Sequence, residues 1–251
     1  MATFADLIKV YGESRQGKET RSATRTNVPI TTTVHGDVRT FPYGKGMYGL
    51  ADEGSYFVAR NPTIGTGIAG ITAATTAADT ETLVFLRNTS TSAEGKRVYL
   101  DYLRLVPTAA GASGTTALYY SWIDTGTSRY TSGGSAITPV NVNMDSTEAA
   151  PVTMYFGAIV TAAASADKRT VGGGSVRLGV IKVVGDIYTF DFGADKSAPS
   201  SLVTSGTAQT IVHIRHAPVI LGPGQMFGME HYGASQGTAA AFEFELGFWV
   251  R

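Results

Sequence analysis

The last twelve residues of the chain alternate between apolar and polar positions. The run reads "AAFEFELGFWVR", in which Phe242, Phe244, Leu246, Phe248 and Val250 share one parity while the other parity carries two glutamates. Successive side chains of a strand point to opposite faces, so a period of two predicts a strand with one buried face. We therefore predict a half-buried antiparallel strand whose five large apolar side chains enter a core.

Similar short bursts of apolar and β-branched residues precede this strand, separated by clusters of Gly, Ser, Thr and Ala. They read "ETLVFLRN", "RVYLDYLRLV", "ALYYSWID", "TMYFGAIV", "VRLGVIKVV", "IYTFDFG", "QTIVHIRH" and "GQMFGMEHY". Such segments predict strands. In the second, alternation assigns Val98, Leu100, Tyr102 and Arg104 to one face. Gly185-Asp186, between the fifth and the sixth, predicts a compact hairpin.

The connections between these segments favour one fold class. No long amphipathic helices alternate with the strands, as they would in a parallel α/β sheet. The spacing of the predicted strands along the chain is irregular, which argues against a solenoid or a propeller. We predict an all-β fold, an antiparallel β-sandwich of jelly-roll type.

The first 45 residues differ from the rest of the chain. Residues 1–12 could form a short amphipathic helix or extend along a partner, and the text from Glu13 to Tyr43 is polar and extended. We predict an extended N-terminal arm over residues 1–45 and one β-sandwich domain over residues 46–251. The arm could be a solvated linker, wrap a neighbouring subunit or contact nucleic acid. It is locally basic through Arg15, Lys18, Arg21 and Arg25.

Composition bounds the class of protein. Only 16% of the 251 residues are charged, against roughly 25% in an ordinary soluble domain. A surface with few charges exposes apolar groups or covers them with neighbouring subunits, and we expect neighbours. Twenty basic and twenty acidic residues give no net charge, which argues against a dedicated nucleic-acid binder. The absence of Cys excludes disulfides, thiolate metal sites and cysteine nucleophiles, and fits synthesis in a reducing cytoplasm.

The sequence lacks the usual signals for secretion or membrane insertion. "MATFADLIKVYG" has no cationic start and no following cleavage pattern. No run approaches the roughly 20 apolar residues of a membrane span. We expect a soluble product that has no membrane partner and is not secreted by the common route.

One glycine-rich motif imitates a dinucleotide site. "YGKGMYGL" places Gly44, Gly46 and Gly49 at the G-x-G-x-x-G spacing. That fingerprint needs a buried strand before the first glycine and a packing helix after the last. Pro42 would remove a backbone donor from such a strand. We predict a bend over Phe41–Tyr48 and no cofactor.

Three other motifs lack the context that their chemistry needs. "GASQG" around Ser235 matches a nucleophile elbow, but a strand and no histidine follows, so we predict a hairpin loop. Asp191-Phe192-Gly193 lacks the companion motifs of a kinase, and the sequon at Asn88 has no meaning without secretion. We predict no catalytic residue and expect a protein that is not an enzyme.

Three histidines could suggest a metal site. His213 and His216 are three apart, and on a strand such residues face opposite sides, so they cannot easily share one metal with His231. His213 and Arg215 share a face and could bind an anion or a partner carboxylate. We predict structural or surface histidines and no metal.

The final residues carry a resemblance to a known class. In "HAPVILGPGQMFGMEHYGAS" and "AAFEFELGFWVR", an apolar strand runs into the Pro/Gly turn at Leu221–Gly224, and a strand, a small-residue loop and a terminal aromatic strand follow. This order, over about 40 residues, resembles the C-terminal end of jelly-roll proteins from tailed-phage particles. Tumour-necrosis-factor-like and other jelly rolls share it.

The resemblance implies a non-enzymatic structural protein of the virion: a capsid, decoration (cement) or tail-associated subunit. It implies a homo-oligomer, for which a trimer is one option, in contact with other virion proteins. Candidate intersubunit contacts are Arg15, Arg21, Arg25, Phe41, Tyr43 and Tyr48. The alternative is a receptor- or carbohydrate-binding module of a phage tail or fibre. Its candidate sugar-stacking residues, more often core or interface residues in proteins, are Tyr119, Tyr120, Trp122 and Tyr130.

Overall fold

Strands make up nearly all of the regular structure. The computed structural model describes residues 46–71, 79–111, 116–178, 184–193, 211–233 and 237–251. The predicted all-β class is confirmed. The elements are α1 (Gly46–Asp52), β1 (Tyr56–Arg60), β2 (Ile68–Ala69), β3 (Glu81–Asn88), β4 (Val98–Ala109), β5 (Thr116–Asp124), β6 (Tyr130–Ile137), β7 (Val140–Asn141), β8 (Val152–Thr161), β9 (Arg169–Leu178), β10 (Ile187–Phe192), β11 (Ile211–His216), β12 (Ile220–Leu221), β13 (Met226–Gly233) and β14 (Ala241–Val250).

The strands form two sheets packed against each other. Sheet 1 has the order β11-β10-β4-β14-β1-β7, with β12 beside β4 and β2 beside β14. Sheet 2 has the order β6-β8-β3-β13-β5-β9. Eight of the strands pair in a nested order, the first with the last, the second with the second last, and so on. The pairs are β1 with β14, β3 with β13, β4 with β10, and β5 with β9. This nested pairing is that of a jelly roll.

An insertion extends sheet 2 beyond the jelly roll. β6 and β8 follow β5 in the chain and pair with each other, and β8 also pairs with β3. The two strands therefore add to sheet 2 on the side away from β9. We call residues 130–166, which contain both strands and their connections, the insert hairpin.

The core between the sheets contains the predicted face of β14. All five large apolar side chains of that face are buried. Phe244 stacks on Phe156 of sheet 2 with ring centroids 4.0 Å apart. Phe248 stacks on Phe57 of the adjacent β1 at 5.7 Å. The predicted register of β14 is confirmed.

The predicted alternation of β4 is wrong beyond its first half. Val98 and Leu100 face the core, but Leu103 rather than Tyr102 continues that face. A bulge causes the change, since Gly247 of β14 pairs with Tyr102 while the next residue pairs with Leu100. One extra residue in a strand moves every later side chain to the opposite face.

The two predicted hairpins are also wrong. Gly185-Asp186 does lead into β10, but β9 pairs with β5 in sheet 2 whereas β10 pairs with β4 and β11 in sheet 1. Likewise β13 lies in sheet 2 and β14 in sheet 1, so the chain around Ser235 connects two sheets. A jelly roll alternates between its sheets, and therefore β9 and β10, like β13 and β14, are neighbours in the chain but do not pair.

The bend predicted over Phe41–Tyr48 is corrected in part. Residues from Gly46 onwards form α1, in which the Glu53 N–H donates to the Gly49 carbonyl at 3.0 Å. The helix ends at Asp52 and is followed by Gly54, whose φ of 68° suits glycine. β1 starts two residues later, so this seven-residue helix is too short to be the packing helix of a dinucleotide fold.

Candidate subunit-contact surface

Most of the predicted arm contacts fall outside the described residues. Arg15, Arg21, Arg25, Phe41 and Tyr43 precede residue 46, where the description begins. Tyr48 belongs to α1. The arm predicted over residues 1–45 therefore stays a prediction.

The four candidate sugar-stacking aromatics do not form one surface. Tyr119 faces the core, where its ring packs 5.3 Å from that of Phe190. Trp122, on the opposite face of β5, is fully buried. Trp122 is therefore corrected from a candidate ligand contact to a packing residue, because it is fully buried. Tyr119 is half-buried, and its ring packs against the core.

Trp122 is the centre of a second small core on the outer face of sheet 2. It packs with Phe85, Ile159 and Met226. The guanidinium of Arg129 lies 4.0 Å from the centroid of the indole ring. The ring also lies against Gly228 of β13, where a Cβ atom would collide with it. This position thus has room for glycine alone.

A buried ion pair covers that core. Arg129 Nη1 lies 3.1 Å from Asp124 Oδ2, and the two side chains are 4% and 0% exposed. The Ser165 N–H donates to Asp124 Oδ2 at 3.1 Å, and its hydroxyl donates to Oδ1. Burial opposes the charged form of Asp124, but the hydrogen bonds from Ser165 and Thr125 and the charge of Arg129 outweigh it and hold the pKa below its usual range.

The hydroxyl of Tyr120 forms hydrogen bonds with a second pair of charged side chains, Asp79 and Lys168. Tyr120 donates to Asp79 Oδ1 at 3.0 Å, and Lys168 Nζ lies 2.8 Å from both oxygens of that carboxylate. Burial opposes the charge of Asp79, yet the hydrogen bonds from Lys168 and Tyr120 lower its pKa. The same bond to Asp79 raises the pKa of Lys168. Tyr120 therefore anchors the loop before β9.

Tyr130 also makes contacts within the chain. Its ring stacks on Tyr155 with centroids 3.7 Å apart and planes 6° from parallel. Its hydroxyl donates to the Gly133 carbonyl at 3.1 Å. One face of the Tyr130 ring is therefore covered.

The histidines of β11 face opposite sides, as predicted. His213, on the outer face of sheet 1, lies 3.6 Å from Asp191 of β10, so the carboxylate that it meets is its own chain's. His216 is buried, with Nε2 2.5 Å from Ser121 Oγ and Nδ1 2.8 Å from the Ala217 carbonyl. The Ala217 carbonyl can only accept a hydrogen bond, so Nδ1 carries the proton of the neutral ring. Nε2 therefore accepts a hydrogen bond from the Ser121 hydroxyl.

Ser121 and His216 have the geometry of a nucleophile and its base, a pair that the sequence did not reveal. Ser121 is fully buried and His216 is 6% exposed. Gly172 closes the site, since a Cβ atom there would lie 2.6 Å from His216 Nε2. Burial lowers the pKa of His216 and keeps it neutral, and a substrate has no access to the pair. Within the described ranges, no cluster of three or more His, Asp or Glu side chains could hold a metal ion.

The insert hairpin is depleted of charge. Residues 130–166 contain two charged side chains, Asp145 and Glu148, and Glu148 lies 3.6 Å from Lys96. The outer face of sheet 1 differs, since charged pairs such as Glu245 and Arg104 lie side by side there. Charge depletion is typical of the centre of a protein–protein interface.

The insert hairpin also exposes large apolar side chains. The most exposed is Met144, at 99%. Val140, Val142 and Val160 are 54%, 42% and 46% exposed. Three of these four lie in the connection between β6 and β8, residues 138–151, which we call the Met144 loop.

Hydrogen bonds hold the Met144 loop against the start of the domain. Asn141 Nδ2 donates to the Gly54 carbonyl at 2.7 Å, and Asn143 Nδ2 donates to the Asp52 carbonyl at 3.0 Å. Asn143 Oδ1 accepts from the Asp145 N–H at 2.9 Å. Met144 is thus presented to solvent by a fixed backbone.

A pocket of about 210 Å³ opens beside the Met144 loop. None of the residues around it is charged. Its lining includes Ala136, Thr138, Pro139, Ala150, Val152 and Tyr155. The insert hairpin therefore carries an exposed apolar projection and a recess with an uncharged lining.

Sequence reasoning missed this surface although a signal was present. No charged residue occurs between Arg129 and Asp145, or between Glu148 and Asp167. The low content of charged residues in the whole chain does not show where along the sequence charges are absent. Local gaps between charges would have located the insert hairpin.

Comparison with known proteins finds no matching family model, no matching curated protein and no matching solved structure. In the described part of the chain, no helix is long and apolar enough to cross a membrane.

Proposed function

We propose that the chain is a non-enzymatic structural component of a bacteriophage particle, a capsid, decoration or tail-associated subunit, and that it acts through subunit–subunit contacts. The observation that carries this proposal is the insert hairpin: a surface outside the jelly-roll core that has only two charged residues and exposes Met144 on a fixed loop. The virion assignment is supported by the resemblance of the C-terminal 40 or so residues to phage jelly-roll proteins.

The fold supports the proposal only in general terms. Jelly rolls form viral capsid proteins, but lectins and cupins use them too, and a fold does not define a function. The exposed surface therefore provides the specific support. Monomeric proteins rarely expose large contiguous apolar patches, and such patches mark interaction sites.

The buried polar groups support a structural role. Ser121 and His216, the pair with the best geometry for catalysis among the described residues, are closed off beneath Gly172. Asp124 and Arg129 are engaged with each other and with the loop at Ser165. Each of these groups stabilises a packing contact.

The alternative function, a receptor- or carbohydrate-binding module, loses its best candidates. Tyr119 and Trp122 are packed in two different cores, and one face of Tyr130 is covered by Tyr155. Such a module would have to rely on Tyr120, on Tyr130 or on another surface.

The proposal implies a homo-oligomer in the virion, assembled from subunits made in the host cytoplasm, with a trimer as one option. The test is the mass of the full chain in solution, measured by light scattering over a range of concentrations. We expect a mass of at least twice the 26.3 kDa of one chain. A monomer at every concentration would overturn the proposal, and binding of that monomer to immobilised glycans on an array would favour the alternative.

A further inference from the structure

Met144 and the neighbouring pocket are complementary in kind. Met144 is 99% exposed, so it does not fill the pocket of its own chain. The pocket measures about 210 Å³ and has an uncharged lining. A cavity of about 150 Å³ admits a benzene molecule, so a thioether side chain fits in this space. Met is also the side chain that adapts best to an irregular apolar recess.

The projection and the recess belong to the same patch. Met144 follows Pro139, a lining residue, by five positions, so the two lie within about 18 Å of each other even if the chain is extended. A surface that carries both halves of a contact side by side is self-complementary. Self-complementarity is the condition for a two-fold contact between identical chains.

We propose that two copies of the chain pack insert hairpin against insert hairpin, and that each copy seats its Met144 side chain in the pocket of the other. The inference rests on the proposed function, and it names the partner of the candidate surface as a second copy of this chain. The pair of copies is one contact of the larger assembly.

The local structure favours this occupant. The Met144 loop is already fixed by Asn141 and Asn143, so little conformational freedom remains to be lost on association. The lining of the pocket is uncharged and Glu148 already lies 3.6 Å from Lys96, so Asp145, beside Met144, is the charge that stays in solvent at the rim of the contact.

The absence of Cys from the chain allows a direct test by cross-linking. Met144→Cys and Ala136→Cys are made as separate full-length variants, mixed and mildly oxidised. A disulfide forms only where two Cα atoms approach to about 4.4–6.8 Å. We expect the mixture to give a mixed dimer of twice the 26.3 kDa chain mass, in a yield well above that of the matched control mixture, Ile64→Cys with Ala136→Cys. Ile64 is 77% exposed and lies outside the insert hairpin.

Sedimentation of unmodified full-length chains provides the second measurement. We expect Met144→Ala to weaken self-association roughly tenfold or more, as loss of a central apolar anchor does, and Ile64→Ala to leave it unchanged. Ala150→Trp, which fills the pocket, should weaken self-association similarly. Adding Met144→Ala to that variant should weaken self-association little further, because both changes remove the same contact. Circular dichroism confirms that each variant is folded.

Two results separate the failure of this inference from that of the proposed function. If the full chain assembles but the Met144→Cys mixture links no better than the Ile64→Cys control, the hairpin contact is overturned and the structural role is retained. If the full chain is monomeric at all concentrations, both are overturned.

Discussion

At the scale of single residues, glycine positions define the packing of sheet 2. Gly228 lets the Trp122 ring lie flat on β13, and Gly172 leaves room for the Ser121–His216 hydrogen bond. Each contact joins residues that are far apart in the sequence. The sequence showed 30 glycines, but it could not show which of them face an indole or an imidazole.

We expect Gly228→Ala to lower the free energy of unfolding by about 1–3 kcal/mol, because the new methyl group would overlap the Trp122 ring. The measurement is urea unfolding followed by circular dichroism. Gly173→Ala is the matched control, since a Cβ atom there would lie 3.6 Å or more from its neighbours. Equal stability of the two variants would contradict the position of Trp122.

The ion pair of Asp124 and Arg129 gives a prediction for removal of one charge. We expect Asp124→Ala to lower the free energy of unfolding by about 3–5 kcal/mol, because Arg129 would remain buried without its partner. Asp145→Ala, a change at an exposed carboxylate, serves as the control and should have little effect. A loss below 1 kcal/mol for Asp124→Ala, on the scale of an exposed pair, would mean that the pair is solvated.

The same carboxylates predict the response to acid. The pKa values of Asp79 and Asp124 are lowered in the folded chain, so the unfolded chain binds protons first as the pH falls. Their stabilisation is present above the unfolded value of about 3.9 and is lost as the pH falls through the lower folded values. Thermal unfolding from pH 7 to pH 2 should show this loss. The loss of stability between pH 7 and pH 2 should be smaller in Asp124→Asn. An equally steep loss in that variant would argue against a lowered pKa of Asp124.

At the scale of elements, the success of the sequence analysis depended on uninterrupted alternation. β14 alternates without a break on its core face and was predicted in the right register. β4 alternates as well, but the bulge at Asp101 reverses its second half, and a bulge depends on the partner strand. The helix α1 was missed because its seven residues contain two of the three glycines of a glycine-rich motif and no long apolar stripe.

Phe244 tests the packing of β14. We expect Phe244→Ala to lower the free energy of unfolding by about 3–5 kcal/mol, because its ring stacks on Phe156 across the core. Ile64→Ala, at a side chain that is 77% exposed, should stay within about 0.5 kcal/mol of the unmodified chain. A neutral Phe244→Ala would refute the register of the last strand.

At the scale of the whole molecule, the nested pairing of the jelly roll is the feature that local patterns could not reveal. Strand identity followed from apolar bursts, yet pairing partners such as β1 and β14 are nearly 190 residues apart. Adjacent strands in the chain often lie in different sheets, and both predicted hairpins failed for that reason. The candidate surface was missed because it lies in an insertion whose signal is a local absence of charge.

The arm gives a prediction at this scale. Residues 1–45 contain seven basic and four acidic residues, a charge of 7 − 4 = +3, and since the whole chain is neutral, residues 46–251 carry −3. We expect deletion of residues 1–40 to leave a folded domain, because every pairing of the described strands lies within residues 56–250. The truncated chain should lose assembly beyond the hairpin contact, as measured by light scattering. Failure of the truncated chain to unfold cooperatively would show that the arm is part of the domain.

The most direct test of subunit contact through the insert hairpin is the mass of the full chain in solution, with and without an added charge at Val142. We expect the unmodified chain to be an oligomer and Val142→Glu to shift it towards lower mass. Val184→Glu, at a side chain that is 55% exposed and outside the hairpin, should leave the mass unchanged. An oligomer that survives Val142→Glu as fully as Val184→Glu, or a chain that is monomeric without any substitution, would contradict it.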